Sequence, residues 1–317
     1  MIGIVFLVVL PVFLVMGAGY AATRSGLFSS SAVDGLMVFT QNFGIPCLLF
    51  RGLVDLDIGA TFDPRLLLSF YSGAVVCFAL GVLGVRFLFH RRPGEAVAIG
   101  FGALFSNSVL LGLPIMTRAY GADALAPNFA ILSIHAPFCY LIGITTMELT
   151  RADGRSLADT ARTVLRAMFR NALMIGLMLG FVVNLGGIPL PGALRAAVDM
   201  MANAALPVAL FGMGGVLTRY SIRASLAEAG WVASLSLVLH PAIVYLLASA
   251  TFDLSDAFVR SAVVTAAMAP GVNSYVFASL YSRGQAQAAA TILVATGASV
   301  LTVSLWLTVL GGAVATP

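Results

Sequence analysis

Lysine is absent from the 317 residues, so all 17 basic side chains are arginines. With 13 acidic residues, charged side chains reach only 9% of the chain, far below the roughly 25% of a soluble domain. Such a chain cannot coat a water-facing surface with polar groups. With 60% hydrophobic residues and a mean hydropathy of +1.01, its solvent must be lipid. The three cysteines, Cys47, Cys77 and Cys139, lie in apolar stretches without a pairing pattern, which reads as free thiols and excludes a disulfide framework. Three histidines share no helical spacing, so no metal site is expected. H-E-x-x-H, G-x-S-x-G and glycine-rich nucleotide motifs are also missing. An enzyme, a cofactor and ATP-driven transport are therefore all disfavoured.

What is present is a series of apolar runs. A membrane span needs roughly 20 apolar residues, and the pattern predicts ten: 2–22, 32–54, 66–89, 96–118, 126–148, 169–188, 196–217, 229–250, 257–281 and 286–312. Residues 2–22 lack a positive leader, and their glycines have counterparts in the sixth span, so they read as a mature helix and not as a signal peptide. The expected class is an all-α integral membrane protein with lipid as its main partner.

The arginines sort by side. Loops after the odd-numbered spans hold 12: Arg24, Arg86, Arg91, Arg92, Arg151, Arg155, Arg162, Arg166, Arg170, Arg219, Arg223 and Arg283. The other side holds 5: Arg51, Arg65, Arg118, Arg195 and Arg260. By the positive-inside rule the odd loops face the cytoplasm, which puts both termini outside the cytoplasm in a plasma (inner) membrane. The net charge of +4 follows from this topology and does not indicate nucleic-acid binding.

The chain also repeats itself. Asn42-Phe43-Gly44-Ile45-Pro46-Cys47-Leu48-Leu49-Phe50 returns as Asn203-Ala204-Ala205-Leu206-Pro207-Val208-Ala209-Leu210-Phe211, at an offset of 161. The same offset joins Gly19-Tyr20 to Gly180-Phe181. Five spans lie before the polar stretch at Arg151–Arg170 and five after it. Because five is odd, the second copy must enter the membrane in the opposite sense. The prediction is an inverted repeat, with 1–150 as one five-helix copy, 151–168 as a cytoplasmic linker and 169–317 as the other.

Two spans carry helix-breaking residues in their middles. The fourth contains Phe105-Ser106-Asn107-Ser108-Val109-Leu110-Leu111-Gly112-Leu113-Pro114, the ninth Ala267-Met268-Ala269-Pro270-Gly271-Val272-Asn273-Ser274-Tyr275. Proline removes a donor and glycine releases helical geometry, so breaks are expected at Gly112 and Pro114 and at Pro270 and Gly271. Backbone freed in this way is tolerated in lipid only where it lines a cavity or packs in protein. Half-helix N-termini meeting near the midplane would present N–H groups and positive partial charge to an anion, without a buried arginine.

The neutral polar residues at these breaks complete the candidate site. Asn107 and Asn273 are read as substrate contacts, since amides recognise an anion without opposing charge. Ser106, Ser108 and Ser274 have two standing readings, substrate contact and backbone capping. His135, midway along the fifth span, is either a proton-linked or substrate-contacting group or a neutral histidine bonded to a neighbouring helix. His240 precedes Pro241 and is expected to bond local backbone. Pro46 and Pro207 are expected to kink the second and seventh spans, with Asn42 and Asn203 bonding the carbonyls that the prolines leave unpaired.

These motifs resemble the auxin efflux carrier family, which includes plant PIN proteins and bacterial carriers for malonate or malate. Ser106 to Ile115 followed by Ala119-Tyr120-Gly121 is similar to its fourth-helix signature, Ala266 to Tyr281 to its ninth-helix signature, and Ile45 to Phe50 to its second-helix proline motif. The resemblance implies a fold like the sodium/proton antiporter NhaA, with helices 1, 2, 6 and 7 as scaffold and 3–5 and 8–10 as a moving transport unit. It further implies that helices 4 and 9 cross as an X, with Asn107 and Asn273 at the crossing binding an organic anion. Homodimers through the scaffold are common in the family. His135 stands where plant members have a glutamine, and the long plant loop is missing, which favours a bacterial carboxylate.

The function expected is alternating-access carriage of a small organic carboxylate, auxin-, malonate- or malate-like, by elevator-type movement. A sodium-coupled symporter of the bile-acid type shares the architecture, but its ion sites want several oxygens that often include a carboxylate. A ligand sensor that moves nothing would need an output surface larger than 151–168, and a channel would need pores where crossing breaks favour occlusion. The residues name neither the substrate nor the coupling ion.

Overall fold

The computed structural model describes residues 2–150, 172–221 and 226–311, with side chains described from residue 8 onward. The linker at 151–168 and the first residues of the sixth span lie outside the described residues. Regular structure is helical throughout. In the first part of the chain the helices are α1 (Ile2–Arg24), α2 (Ser30–Phe39), α3 (Ile45–Val54), α4 (Ile58–Thr61) and α5 (Pro64–Phe87). There follow α6 (Pro93–Leu104), α7 (Leu113–Tyr120) and α8 (Ala126–Thr150). The second part has α9 (Ala172–Leu185), α10 (Gly192–Leu217), α11 (Leu226–Ser234), α12 (His240–Tyr245), α13 (Asp256–Ala266), α14 (Val272–Leu280) and α15 (Gln285–Val309).

Among the described residues, six helical stretches are long and apolar enough to cross a membrane: Ser30–Val54, Pro64–Phe87, Ala122–Thr150, Gly192–Leu217, Leu226–Thr251 and Gln285–Val309. Of the remaining predicted spans, the first is α1, 23 residues long, the described part of the sixth is α9, and the fourth and ninth are divided in two, at α6/α7 and α13/α14. Helix starts follow local chemistry. Asp63 caps α5, accepting from the Arg65 N–H at 2.8 Å ahead of Pro64 in the first turn. Ser29 caps α2 through the Ala32 N–H at 3.1 Å.

Prolines act in two ways. Three π turns, Thr40–Gly44, Ser108–Gly112 and Leu235–Leu239, each end two residues before a proline: Pro46, Pro114 and Pro241. In each, the residue before the proline donates its N–H five residues back: Ile45 to Thr40, Leu113 to Ser108 and His240 to Leu235. Proline cannot donate to the carbonyl four residues earlier and its ring crowds that carbonyl. The wider turn carries the hydrogen-bond ladder past this gap. Pro207 behaves differently: helix α10 continues through it without a π turn. Prolines are tolerated inside membrane helices where neighbours re-satisfy the freed backbone.

The described residues form two compact units, one from within 1–10, 63–164 and 220–317, the other from within 11–62 and 165–219. In the smaller unit, the later part of α1, α2, α3, α9 and α10 pack through glycines. A Cβ on Gly19 would overlap the Phe211 carbonyl oxygen, and one on Gly214 would overlap that of Met16. In lipid, helices associate largely through such close backbone approach, because burying apolar surface offers no gain. Gly180 packs on Phe50 and Leu53, and a Cβ on Gly44 would lie 3.2 Å from Ala205 Cα. Asn184 Nδ2 donates to the carbonyls of Leu53, Val54 and Leu56 at 2.8–2.9 Å, closing the end of α3. Asn203 does not bond the carbonyl freed by Pro207 as expected. Its Oδ1 accepts from Arg51 Nη1 at 2.8 Å, and Arg51 also faces Asp199 at 3.5 Å. Asn42 lies exposed in the π turn ahead of Pro46, where the wider turn takes over the role expected of its side chain.

The larger unit holds α5 to α8 and α11 to α15. Its core includes Cys77, Val85, Ala96, Ile99, Ala103, Val232 and Leu235, contributed by α5, α6, α11 and the π turn that follows α11. Small residues again allow close packing, with a Cβ on Gly81 falling 3.2 Å from Gly100 Cα. His240 is corrected from a local role. Its Nε2 faces the Phe70 carbonyl on α5 at 3.2 Å, joining α12 to a helix distant in sequence.

Candidate functional site

Two helices of the larger unit are interrupted. Between α6 and the π turn at Ser108, residues 105–107 leave helical geometry; between α13 and α14, residues 267–271 do so. The two interruptions meet. Ser106 and Pro270 form an antiparallel bridge, with the Asn107 N–H donating to Ala269 O at 2.8 Å and the Gly271 N–H to Phe105 O at 3.0 Å. Each break thus supplies the hydrogen-bond partners that the other lost on leaving the helix, which is what lipid demands of irregular backbone. The first break lies upstream of Gly112 and Pro114. That expectation is corrected: Gly112 closes the π turn and Pro114 enters α7 near its start, both in helical geometry. Pro270 and Gly271 lie within the second break, as expected.

The pairing brings most of the candidate residues together. Asn107 precedes the π turn and its carbonyl accepts from Leu111 and Gly112 at 3.2 and 3.1 Å. A Cβ on Gly271 would stand 3.5 Å from Asn107 Cα, so the two breaks run side by side. Asn273 and Ser274 occupy the first turn of α14, Ser108 that of the π turn. The helices leading away from both breaks begin here, so their uncapped N–H groups and positive ends point at this place. Asn107, Ser108 and Ser274 are at most 5% exposed, while Asn273 is half-buried.

The polar atoms differ in their engagement. Ser106 Oγ and Ser108 Oγ are 2.7 Å apart, and Ser108 Oγ also approaches the Ser106 carbonyl at 3.3 Å, a local capping arrangement. Ser274 Oγ is buried and has no protein partner, so it is available to a ligand or water. His135 Nε2 lies 3.3 Å from the Ser106 carbonyl. A carbonyl only accepts, so Nε2 carries the proton, and Nδ1 faces Cys139 Sγ at 3.8 Å. His135 therefore clamps the backbone of the first break. Ser236 does the same for the second, donating to Met268 O at 3.2 Å.

Two features escaped the sequence reading. Tyr140, one turn beyond His135 on α8, donates its hydroxyl to Asn273 Oδ1 at 3.4 Å, so the NH₂ of that amide points away from Tyr140 as a donor. Its signal was only a tyrosine in an apolar span. Around it, Phe101 and Phe277 stack with centroids 4.0 Å apart, and Phe105 lies 4.8 Å from the His135 ring. These rings pack beside the uncharged polar groups of the two breaks. Asn42, Pro46, Asn203 and Pro207 belong to the smaller unit.

An all-helical, multi-pass membrane protein with paired interruptions of this kind belongs among the transporters. The pattern of the family described as "Membrane transport protein" matches residues 4–307, and the chain belongs to that family, the auxin efflux carriers. Its members are transporters and not enzymes. The chain is 26% identical to the "Putative malonate transporter" of Rhizobium meliloti over 93% of its own length and 92% of that protein's. It is 24% identical to the "Uncharacterized transporter YfdV" of Escherichia coli over 94% and 95%, and 23% identical to "Auxin efflux carrier component 8" of Arabidopsis thaliana over 86% and 88%.

Proposed function

We propose that this transporter is a secondary carrier for small organic carboxylates, malonate-like in size, working by elevator-type alternating access. The observation that carries the proposal is the antiparallel pairing at Ser106 and Pro270, which gathers two helix N-termini and the side chains of Asn107, Ser108, Asn273 and Ser274. In this reading the carboxylate accepts hydrogen bonds from the amides, the Ser274 hydroxyl and main-chain N–H groups, and His135 and Ser236 hold the breaks in shape. The name of the Rhizobium meliloti relative, "Putative malonate transporter", supports a dicarboxylate.

The reading includes ten spans in two inverted copies, with both termini outside the cytoplasm of a bacterial inner membrane. Contacts support it. Under an offset of 161, Gly44 corresponds to Ala205, and the two touch. Gly19 packs on Phe211 while their counterparts Gly180 and Phe50 pack on each other. Under an offset of 163, the approach of Gly102 to Thr291 corresponds to the bond between Thr265 and Asn128. A two-fold operator requires such reciprocity, with residues near its axis meeting their own mates. Helices 3–5 and 8–10 move against a scaffold of helices 1, 2, 6 and 7, and dimerisation through the scaffold accompanies this.

The test is uptake of radiolabelled malonate, with indole-acetate alongside, into liposomes holding the purified chain, with sodium replaced by choline in a parallel set. Saturable, sodium-independent malonate uptake that disappears in Asn107→Ala and Asn273→Ala variants is the expected result. Wild-type rates in both variants would remove the proposed site, and strict sodium dependence would favour a symporter.

A further inference from the structure

Outside the paired breaks, the larger unit gathers arginines where α5 turns into α6. Arg86 ends α5, and its Nη1 donates to the Arg91 carbonyl at 2.8 Å, folding the guanidinium over the connecting loop. Arg91 is spoken for by Glu228, at 2.5 Å through Nε. Arg92 follows, exposed, just ahead of α6. The turn between α14 and α15, with positive φ at Ser282 and Gly284, brings Arg283 onto the same place. Its Cδ, Nε and Nη1 lie 3.1–3.3 Å from where a Cβ on Gly94 would be, so the absence of a side chain at Gly94 makes a bed for the guanidinium.

Charge does not balance here. Glu228 is consumed by Arg91, and Glu95 accepts from the Arg92 main-chain N–H at 3.4 Å. Among the described residues, Arg86, Arg92 and Arg283 have no carboxylate in ion-pair contact. Directly beside them the surface turns apolar, with Leu83, Phe87 and Leu88 at 51%, 66% and 62% exposure. Three arginines outside ion-pair contact, with Glu95 the one carboxylate left among them, leave positive charge at the end of an exposed apolar strip, which matches the two halves of one molecule, a phosphate with acyl chains attached.

We propose that Arg86, Arg92 and Arg283 bind the headgroup phosphate of an anionic glycerophospholipid whose chains lie along Leu83 and Phe87. Guanidinium forks suit phosphate oxygens better than an ammonium does. The site lies in one of the loops richest in arginine, on the side where anionic lipid attracts basic residues near membrane helices. Bound lipid would bridge the α5–α6 loop to the α14–α15 turn and stabilise the larger unit by mass action.

The test uses the full chain in mild detergent, titrated with dioleoylphosphatidylglycerol, dioleoylphosphatidylcholine or inorganic phosphate, with unfolding temperature and native mass spectra followed. Phosphatidylglycerol is expected to raise the unfolding temperature and remain bound in the spectra, while phosphatidylcholine and phosphate do neither. The exposed double variant Arg86→Gln/Arg92→Gln should bind the lipid on the order of tenfold more weakly while unfolding as wild type in phosphatidylcholine. Arg283→Lys should lie between, and Arg24→Gln, in the other unit, should respond fully. Equal responses to phosphatidylglycerol in wild type and double variant overturn the proposal. A response to phosphate alone replaces it with a soluble-anion site, and a response to phosphatidylcholine with unspecific lipid solvation.

Discussion

The main-chain N–H of Asn107 donates to the carbonyl of Ala269 at 2.8 Å, so each interruption is held by the backbone of the other. Because main-chain atoms do this holding, shortening the side chains at positions 107 and 273 should leave the breaks in place. We expect Asn107→Ala and Asn273→Ala each to weaken malonate binding by about 10- to 100-fold, the loss of a hydrogen bond to a charged group. Unfolding temperatures without ligand should change little. The check is the malonate-induced rise in unfolding temperature beside liposome uptake. Intact malonate responses in folded variants would place the anion elsewhere.

Tyr140 tests the orientation of the Asn273 amide. With its hydroxyl on Oδ1, the NH₂ is the donor of the proposed site; without it the amide can turn its oxygen toward the anion. Tyr140→Phe should raise the half-saturating malonate concentration by about three- to tenfold, in line with one neutral hydrogen bond of roughly 1 kcal/mol. Stability should hold, since the ring keeps its contacts with Phe105 and Phe101. An unchanged half-saturating concentration would mean that the amide is oriented by something other than Tyr140.

The sequence foretold the interruptions because proline, glycine and asparagine in apolar runs have few innocent explanations. It misplaced the first, since Gly112 and Pro114 looked like the breakers. In the structure Pro114 is absorbed by a π turn, while the chain departs from the helix at Phe105–Asn107, where no residue forbids a helix. What opens the helix there is pairing with residues 269–271, a long-range effect that local propensity does not record. Pro207 shares a motif with Pro46, yet α10 runs through it without a π turn. Tyr140 and Ser236 gave no signal, since a single hydroxyl in an apolar span becomes meaningful only once its acceptor is known. The composition, by contrast, pointed to the solvent at once: nine charged residues per hundred are too few to cover a water-facing surface.

Glycine packing in the smaller unit offers a stability test with an internal control. A Cβ on Gly19 would overlap the carbonyl oxygen of Phe211, a main-chain atom that cannot step aside, whereas a Cβ on Gly17 meets nothing within 4 Å. Gly19→Ala should cost about 1–3 kcal/mol or more, seen as a lower unfolding temperature in detergent. Gly17→Ala should be neutral or slightly stabilising, since alanine favours helix. Equal effects from the two would show that α1 does not rest on α10 as described.

The start of α5 should respond to acid. Hydrogen bonds from Arg65 hold the Asp63 carboxyl below its ordinary value near 3.8. A folded-state value below the unfolded one means that the stabilisation is fully present above about pH 4 and disappears as pH falls through the lower folded value. Arg65 is well exposed, so solvent screening keeps the contribution small. Asp63→Asn should flatten the pH dependence of the unfolding temperature below about pH 4, while retaining much of the cap. An unaltered slope would assign acid sensitivity to other carboxylates.

Pro114 connects backbone geometry to the site. It follows the π turn at Ser108–Gly112, in which Leu113 reaches back to Ser108, and Pro46 and Pro241 stand in the same relation to their own π turns. Giving position 114 an N–H removes the reason for the extra residue, and the turn can tighten into an α-helix. One residue taken out of a turn rotates everything upstream by about 100°, and Asn107 and Ser108 lie immediately upstream. Pro114→Ala should therefore abolish the malonate-induced thermal shift while leaving the unliganded protein as stable as wild type or more so. Pro46→Ala, whose π turn at Thr40–Gly44 holds no residue of the paired breaks, should retain the malonate response. A Pro114→Ala protein that still binds malonate as wild type would mean that the Ser106–Pro270 pairing alone orients Asn107, and that the π turn serves only to carry the ladder past the proline.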